Sequence, residues 1–156
     1  MPGQPSDFTD KTLIILEGNS NIGKSTLCNF IWNNRHDISY ICVDMFFSIS
    51  FIKKLIKKTQ KTRKLDMINQ MNKYLNMLES YDNPTSNIST ITKNIEFKKH
   101  IIIFSELILF YINRLLRKNK EIKLILLEGQ PLLLCSKVLL DLIKDRNIII
   151  RIWTLK

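Results

Sequence analysis

The stretch that decides the fold is residues 13–26, which read LIILEGNSNIGKST. A short apolar run precedes the spaced pattern Gly18-x-x-x-x-Gly23-Lys24-Ser25. Apolar, β-branched residues that end at a glycine turn are typical of a buried strand. The stretch therefore predicts a strand, a loop and the start of a helix, which is the setting in which backbone amides bind phosphate.

The spacing of this motif follows from phosphate chemistry. Gly18 ends the strand in a turn that a Cβ would obstruct, and Gly23 lets the backbone close around a phosphate. Lys24 can reach the β- and γ-phosphates, which predicts a catalytic role, and the Ser25 hydroxyl can ligate Mg²⁺. The residues predicted to bind ATP or another nucleoside triphosphate are Gly18, Asn19, Ser20, Asn21, Ile22, Gly23, Lys24, Ser25 and Thr26.

The length and the cysteine content indicate how many domains the protein has and which cysteine chemistry to expect. The 156 residues are enough for one domain with a buried core, so we expect a flexible leader at 1–11 and one domain at 12–156. The three cysteines are far apart and suit no zinc template, which favours reduced thiols. We find no signal peptide or transmembrane segment and expect an intracellular, cytoplasmic protein without membrane insertion.

The net charge of +10 is high for a chain of this size. It allows nucleic acid as a partner. An alternative explanation is a composition crowded with Ile, Asn and Lys, which raises the charge without any binding surface. The charge alone does not decide between the two.

The remaining sequence alternates strand and helix patterns. The predicted strands are residues 12–17, 39–44, 122–127 and 148–155. The predicted helical stretches are residues 24–34, a basic region at 51–80, a long helix with an apolar stripe from Phe97 to Leu115, and residues 131–144, with a loop at 81–87. This alternation predicts an α/β fold with a parallel sheet and helices on both faces, and ligands bind such sheets at the carboxyl ends of the strands.

Two carboxylates follow predicted strands. Asp44 ends the second strand, where it can orient or deprotonate an acceptor hydroxyl; the alternative is a cap for the next helix. Glu128 ends the third strand, where it can support Mg²⁺ through water; the alternative is an ordinary polar strand end. Gly129 would allow a close backbone approach beside it.

Other polar residues have weaker signals. Glu17 could contact the acceptor. A basic run follows the second strand, where an acceptor-binding region would lie, but such runs are usually solvated helix faces. Its members are Lys53, Lys54, Lys57, Lys58, Lys61, Arg63 and Lys64. His36 and His100 are isolated, and we assign them no role.

The motifs resemble the small P-loop phosphotransferases related to nucleoside and nucleotide kinases. The loop Gly18-Asn19-Ser20-Asn21-Ile22-Gly23-Lys24-Ser25, followed by Val43-Asp44-Met45-Phe46, is similar to the chloramphenicol phosphotransferase and zeta-toxin branch. The opening Glu17-Gly18-Asn19 is similar to deoxynucleoside and thymidylate kinases. The Asp-Arg-Ser-like signature of that second branch is replaced here by Glu128-Gly129-Gln130-Pro131.

The resemblance implies a three-layer P-loop NTPase fold with ATP and Mg²⁺ as cofactors. In that family an arginine-bearing lid and usually a fifth strand follow the fourth strand, and we expect this sequence to lack both. The implied activity is transfer of the γ-phosphoryl group of ATP to a small acceptor, a nucleoside or nucleotide. Two alternatives stay open: a non-catalytic nucleotide-binding subunit of an RNA-containing assembly, and a polynucleotide 5′-end kinase.

Overall fold

The structure is a computed structural model that describes residues 11–17, 37–144 and 148–154. Four strands form one parallel sheet: β1 Lys11–Glu17, β2 Ile38–Cys42, β3 Leu124–Glu128 and β4 Ile148–Thr154. Their order across the sheet is β2-β3-β1-β4. The predicted α/β class and parallel sheet are confirmed, and each predicted strand is found with its bounds shifted by at most two residues.

Six α-helices lie in the described part of the chain. They are α1 Ile49–Gln60, α2 Leu65–Glu79, α3 Ile88–Lys93, α4 Ile95–Lys99, α5 Ile101–Lys118 and α6 Leu132–Ile143. Short 3-10 helices cover Val43–Phe47 and Pro84–Ser86. Among the described residues, no helix combines the length and apolarity needed to cross a bilayer.

The predicted basic helical stretch at 51–80 is two helices rather than one. The chain turns between α1 and α2, where Arg63 adopts a left-handed φ of 58°. Thr59 and Thr62 direct their hydroxyls onto the backbone carbonyls of Leu55 and Thr59, at 2.7 Å each. Such side-chain bonds compete with the backbone hydrogen bonds of a helix. This polar segment therefore ends α1, although the spacing of apolar residues alone predicts that the helix continues.

The described helices pack on one face of the sheet. That face consists of alternate strand residues, such as Leu13, Ile15, Ile125 and Leu127, which share one buried cluster with residues of α1, α2, α5 and α6. The opposite face carries a small cluster of strand residues, Ile14, Leu16, Ile38 and Leu126. Helices on both faces therefore stay a prediction, because residues 18–36 lie outside the described residues.

An aromatic cluster fixes the segment that follows β2. Phe104 of α5 lies with its ring centroid 5.3–6.1 Å from those of Phe46, Phe47, Tyr74 and Phe97. The buried hydroxyl of Tyr74 donates a hydrogen bond to the Phe46 carbonyl at 2.8 Å. Rings at these separations stabilise one another beyond their burial, so the turn after β2 is held firmly.

Candidate functional site at the carboxyl edge of the sheet

The predicted nucleotide-binding residues, 18–26, lie outside the described residues. The roles predicted for Lys24 and Ser25 therefore stay predictions. β1 ends at Glu17, immediately before this motif. The predicted acceptor contact of Glu17 stays a prediction. The carboxyl ends of β2 and β3, by contrast, are described with their side chains.

Asp44 does not end a strand, contrary to the sequence prediction. β2 ends at Cys42, and Asp44 lies two residues later in the 3-10 helix Val43–Phe47. The chain turns there because Phe46 and Phe47 are both fully buried in the aromatic cluster. The alternative role as a cap of the next helix is also wrong, since Ser48 caps α1 by accepting a hydrogen bond from the Phe51 amide.

Glu128 is the last residue of β3, as predicted, and only 6% of it is exposed. It lies in register with Cys42 of β2 on one side and Leu16 of β1 on the other. Tyr40, two residues before Cys42 on β2, donates its hydroxyl to Glu128 Oε2 at 2.8 Å. A buried carboxylate needs such partners, and here they also fix its orientation.

Gly129 brings the two acidic segments together. Its φ is 143°, and a Cβ built on it would lie 2.5 Å from Val43 Cγ2 and 3.0 Å from Asp44 Oδ1. The backbone after β3 therefore lies directly against the Val43–Asp44 turn after β2. The predicted close approach at Gly129 is confirmed, and so is the expectation that Asp44 and Glu128 meet at one edge of the sheet.

The pKa of the Cys42 thiol depends on burial and on the negative charges at this edge of the sheet. Burial, followed by the negative charges of Asp44 and Glu128, raises the pKa of Cys42 to about 12. The neutral thiol hydrogen-bonds with Glu128. Because the thiolate would face two carboxylates, Cys42 remains protonated at neutral pH and supports Glu128 rather than acting as a nucleophile.

Alkylation of Cys42 is expected to be about 10³-fold slower in the native chain than in urea at pH 8, because only the thiolate reacts. The native rate should rise about tenfold per pH unit toward pH 12. Mass spectrometry of the Cys42 peptide after timed iodoacetamide treatment measures this rate. Glu128→Gln should lower the pKa of Cys42 and speed the reaction, whereas Glu121→Gln, at an exposed site in the turn before β3, should not. An equal native and unfolded rate would contradict the raised pKa of Cys42.

The magnesium site that the sequence places at Glu128 stays a prediction. No group of three or more His, Cys, Asp or Glu side chains in the described ranges is arranged to hold a metal on its own. Mg²⁺ in nucleotide sites takes one or two carboxylates and fills its other positions with phosphate oxygens and water. Glu128 is the described carboxylate that such a site would use.

Sequence reasoning missed Tyr40 and Cys42 as members of the site. Alternation along β2 places both on the face of Glu128, but the pairing register of β2 with β3 has no signal in the sequence. His100 hydrogen-bonds through Nδ1 to the Glu96 carbonyl at 2.7 Å, at the start of α5. It has a local structural role and lies outside the site.

Comparisons of the chain with protein-family models, with curated proteins and with solved structures found no match. The class is therefore defined by the fold and the site alone. It is an α/β domain with a parallel sheet, a buried carboxylate at the carboxyl edge, Glu128, and Asp44 in the adjoining turn.

Proposed function

We propose that this chain is a P-loop phosphotransferase that moves the γ-phosphoryl group of ATP to the hydroxyl of a small acceptor, a nucleoside or nucleotide. One observation carries the proposal. The Asp44 turn and the Glu128–Gly129 strand end adjoin at the same sheet edge at which β1 leads into the Gly18–Ser25 motif. This arrangement supports the proposal, because phosphoryl transfer needs a phosphate cradle and carboxylates at one place.

The strand order supports a ligand at this edge. The chain runs from β1 outward past β3 to β2, and later from β3 in the opposite direction past β1 to β4. Right-handed crossovers that run in opposite directions leave a sheet on opposite faces, which opens a crevice between the strands concerned. The strand order therefore predicts a crevice at the carboxyl ends of β1 and β3, which are Glu17 and Glu128.

Each residue then has a distinct task. Lys24 neutralises the β- and γ-phosphates, and the motif amides orient them. Asp44 accepts the proton of the acceptor hydroxyl as the hydroxyl oxygen bonds to the γ-phosphorus. The bond from that phosphorus to the β,γ-bridging oxygen breaks at the same time, which releases ADP. Ser25 and Glu128 would hold Mg²⁺, which when bound offsets the negative charge on the phosphates. Tyr40 and Cys42 keep Glu128 in place.

Purified protein incubated with γ-labelled ATP and a panel of acceptors tests the proposal. The panel holds nucleosides, nucleotides and oligonucleotides with a 5′-hydroxyl. Label in a nucleoside or nucleotide product is the expected result. Label only in the oligonucleotide would instead identify an end kinase, and ATP binding without any labelled product would favour a non-catalytic subunit.

A further inference from the structure

We propose that a basic groove between α1 and α5, here called the α1–α5 groove, binds single-stranded nucleic acid. The groove shares no lining residue with the Asp44–Glu128 edge. It neither requires nor implies phosphotransferase activity, because it is argued from different residues.

Two matching helical stripes form the first half of the groove. Each helix begins its stripe with an aromatic residue. A basic residue follows three positions later, a leucine four positions later and a second basic residue seven positions later, which places all four on one helical face. Together they line a cavity of about 180 Å³. The residues are Phe51, Lys54, Leu55 and Lys58 of α1, and Tyr111, Arg114, Leu115 and Lys118 of α5.

A second cavity, of about 360 Å³, continues the groove past the end of α1. It shares Arg114 and Lys118 with the first cavity, so the two form one continuous surface. Its other lining residues are Thr62, Lys64, Phe110 and Arg117. Of the described residues that line either cavity, six are cationic and none is acidic.

Arg114 indicates that the groove takes an anion. Its Nη1 atom is buried and has no hydrogen-bond partner among the residues that the structure describes. A desolvated guanidinium nitrogen without an acceptor is unfavourable, and a phosphate or carboxylate oxygen would relieve it. Because Arg114 lines both cavities, it lies where the two halves of an extended ligand would meet.

The aromatic residues favour nucleic acid over other polyanions. Phe51 and Tyr111 are half-buried at one end of the first cavity, with ring centroids 5.7 Å apart. At the other end of the groove the Phe110 ring is buried, with 8% exposed, and Lys64 Nζ lies 5.3 Å from its centroid, so this end presents a cation rather than a ring. Cations that follow a backbone, together with aromatic rings that take unpaired bases, are the features by which proteins bind single strands without sequence preference.

A charge-reversal pair with a matched control on the same helix tests the groove. Lys54→Glu/Lys58→Glu changes two lining residues, and Lys53→Glu/Lys57→Glu makes the same charge change at exposed positions outside both cavities. The probe is a fluorescein-labelled single strand of about 12 nucleotides, within the usual site size, followed by anisotropy. We expect the groove pair to weaken binding at least tenfold more than the control pair. It should also lower the slope of log K against log salt by about 1.4, or about 0.7 for each lost phosphate contact.

Three further arms keep the outcome decisive. Lys54→Gln/Lys58→Gln repeats the test if charge reversal unfolds the chain. Lys24→Ala should bind the strand as the parent protein does, which separates binding in the groove from binding at the nucleotide motif. A poly-glutamate peptide of equal charge should bind at least tenfold more weakly than the oligonucleotide. Equal losses in the groove and control pairs, or equal affinity for the peptide, would overturn the proposal.

Discussion

Replacing Lys24 by alanine is expected to abolish ATP turnover, and replacing Asp44 by asparagine to lower phosphoryl transfer about 10²–10⁴-fold while ATP still binds. The two losses differ because the residues act on different parts of the reaction. In the proposed mechanism Lys24 neutralises phosphate charge in the bound nucleotide and in the transition state, so its removal should weaken both. Asparagine has nearly the shape of aspartate, so it should fit beside Gly129 but cannot accept the acceptor proton.

Turnover with the acceptor found in the panel, together with ATP affinity from calorimetry, separates these effects. Asp66→Asn is the matched control, because it makes the same chemical change at an exposed carboxylate in the first turn of α2. It should leave both quantities unchanged. Unchanged turnover in Lys24→Ala and Asp44→Asn would refute the proposed site, whereas loss of ATP binding in Asp44→Asn would give that residue a binding role instead.

The sheet was largely predictable because its strands are short apolar runs bounded by turn residues. The LILLEG run that ends at Glu128 and Gly129 predicts both a buried strand and the carboxylate at its end. The turn at Asp44 was not predictable in the same way. The pattern ICVDMFF continues the apolar run, and only burial of Phe46 and Phe47 against α5 shows that the strand stops at Cys42.

The sequence correctly placed Glu128 at the end of a strand, whereas it did not indicate the contacts that depend on register. The rule for parallel sheets brings Asp44 and Glu128 to one edge without any knowledge of their pairing. The bond from Tyr40 to Glu128, and the effect of both carboxylates on Cys42, depend on Cys42 lying opposite Glu128. The break at Arg63 was missed because the polar side chains that end α1 leave the apolar periodicity nearly unchanged.

Replacing Gly129 by alanine is expected to lower the free energy of unfolding by about 2–6 kcal/mol. The change combines two costs. A φ of 143° strains any residue with a Cβ, and the added methyl would lie 2.5 Å from Val43 Cγ2 and 3.0 Å from Asp44 Oδ1. Urea denaturation measures the effect. Gln130→Ala, at the half-buried next position, should change stability far less, because Gln130 does not adopt a positive φ.

A double-mutant cycle separates the clash from the backbone strain. In a Val43→Ala background the nearest atom to the new methyl is gone, so Gly129→Ala should cost less there, by about 0.5–3 kcal/mol. The remaining cost is the strain of φ and the contact with Asp44. If the two substitutions were additive, the strand end after β3 would not lie against the turn after β2. Asp44 and Glu128 would then lose the contact that joins them into one site, so this measurement of stability also tests the geometry on which the proposed chemistry depends.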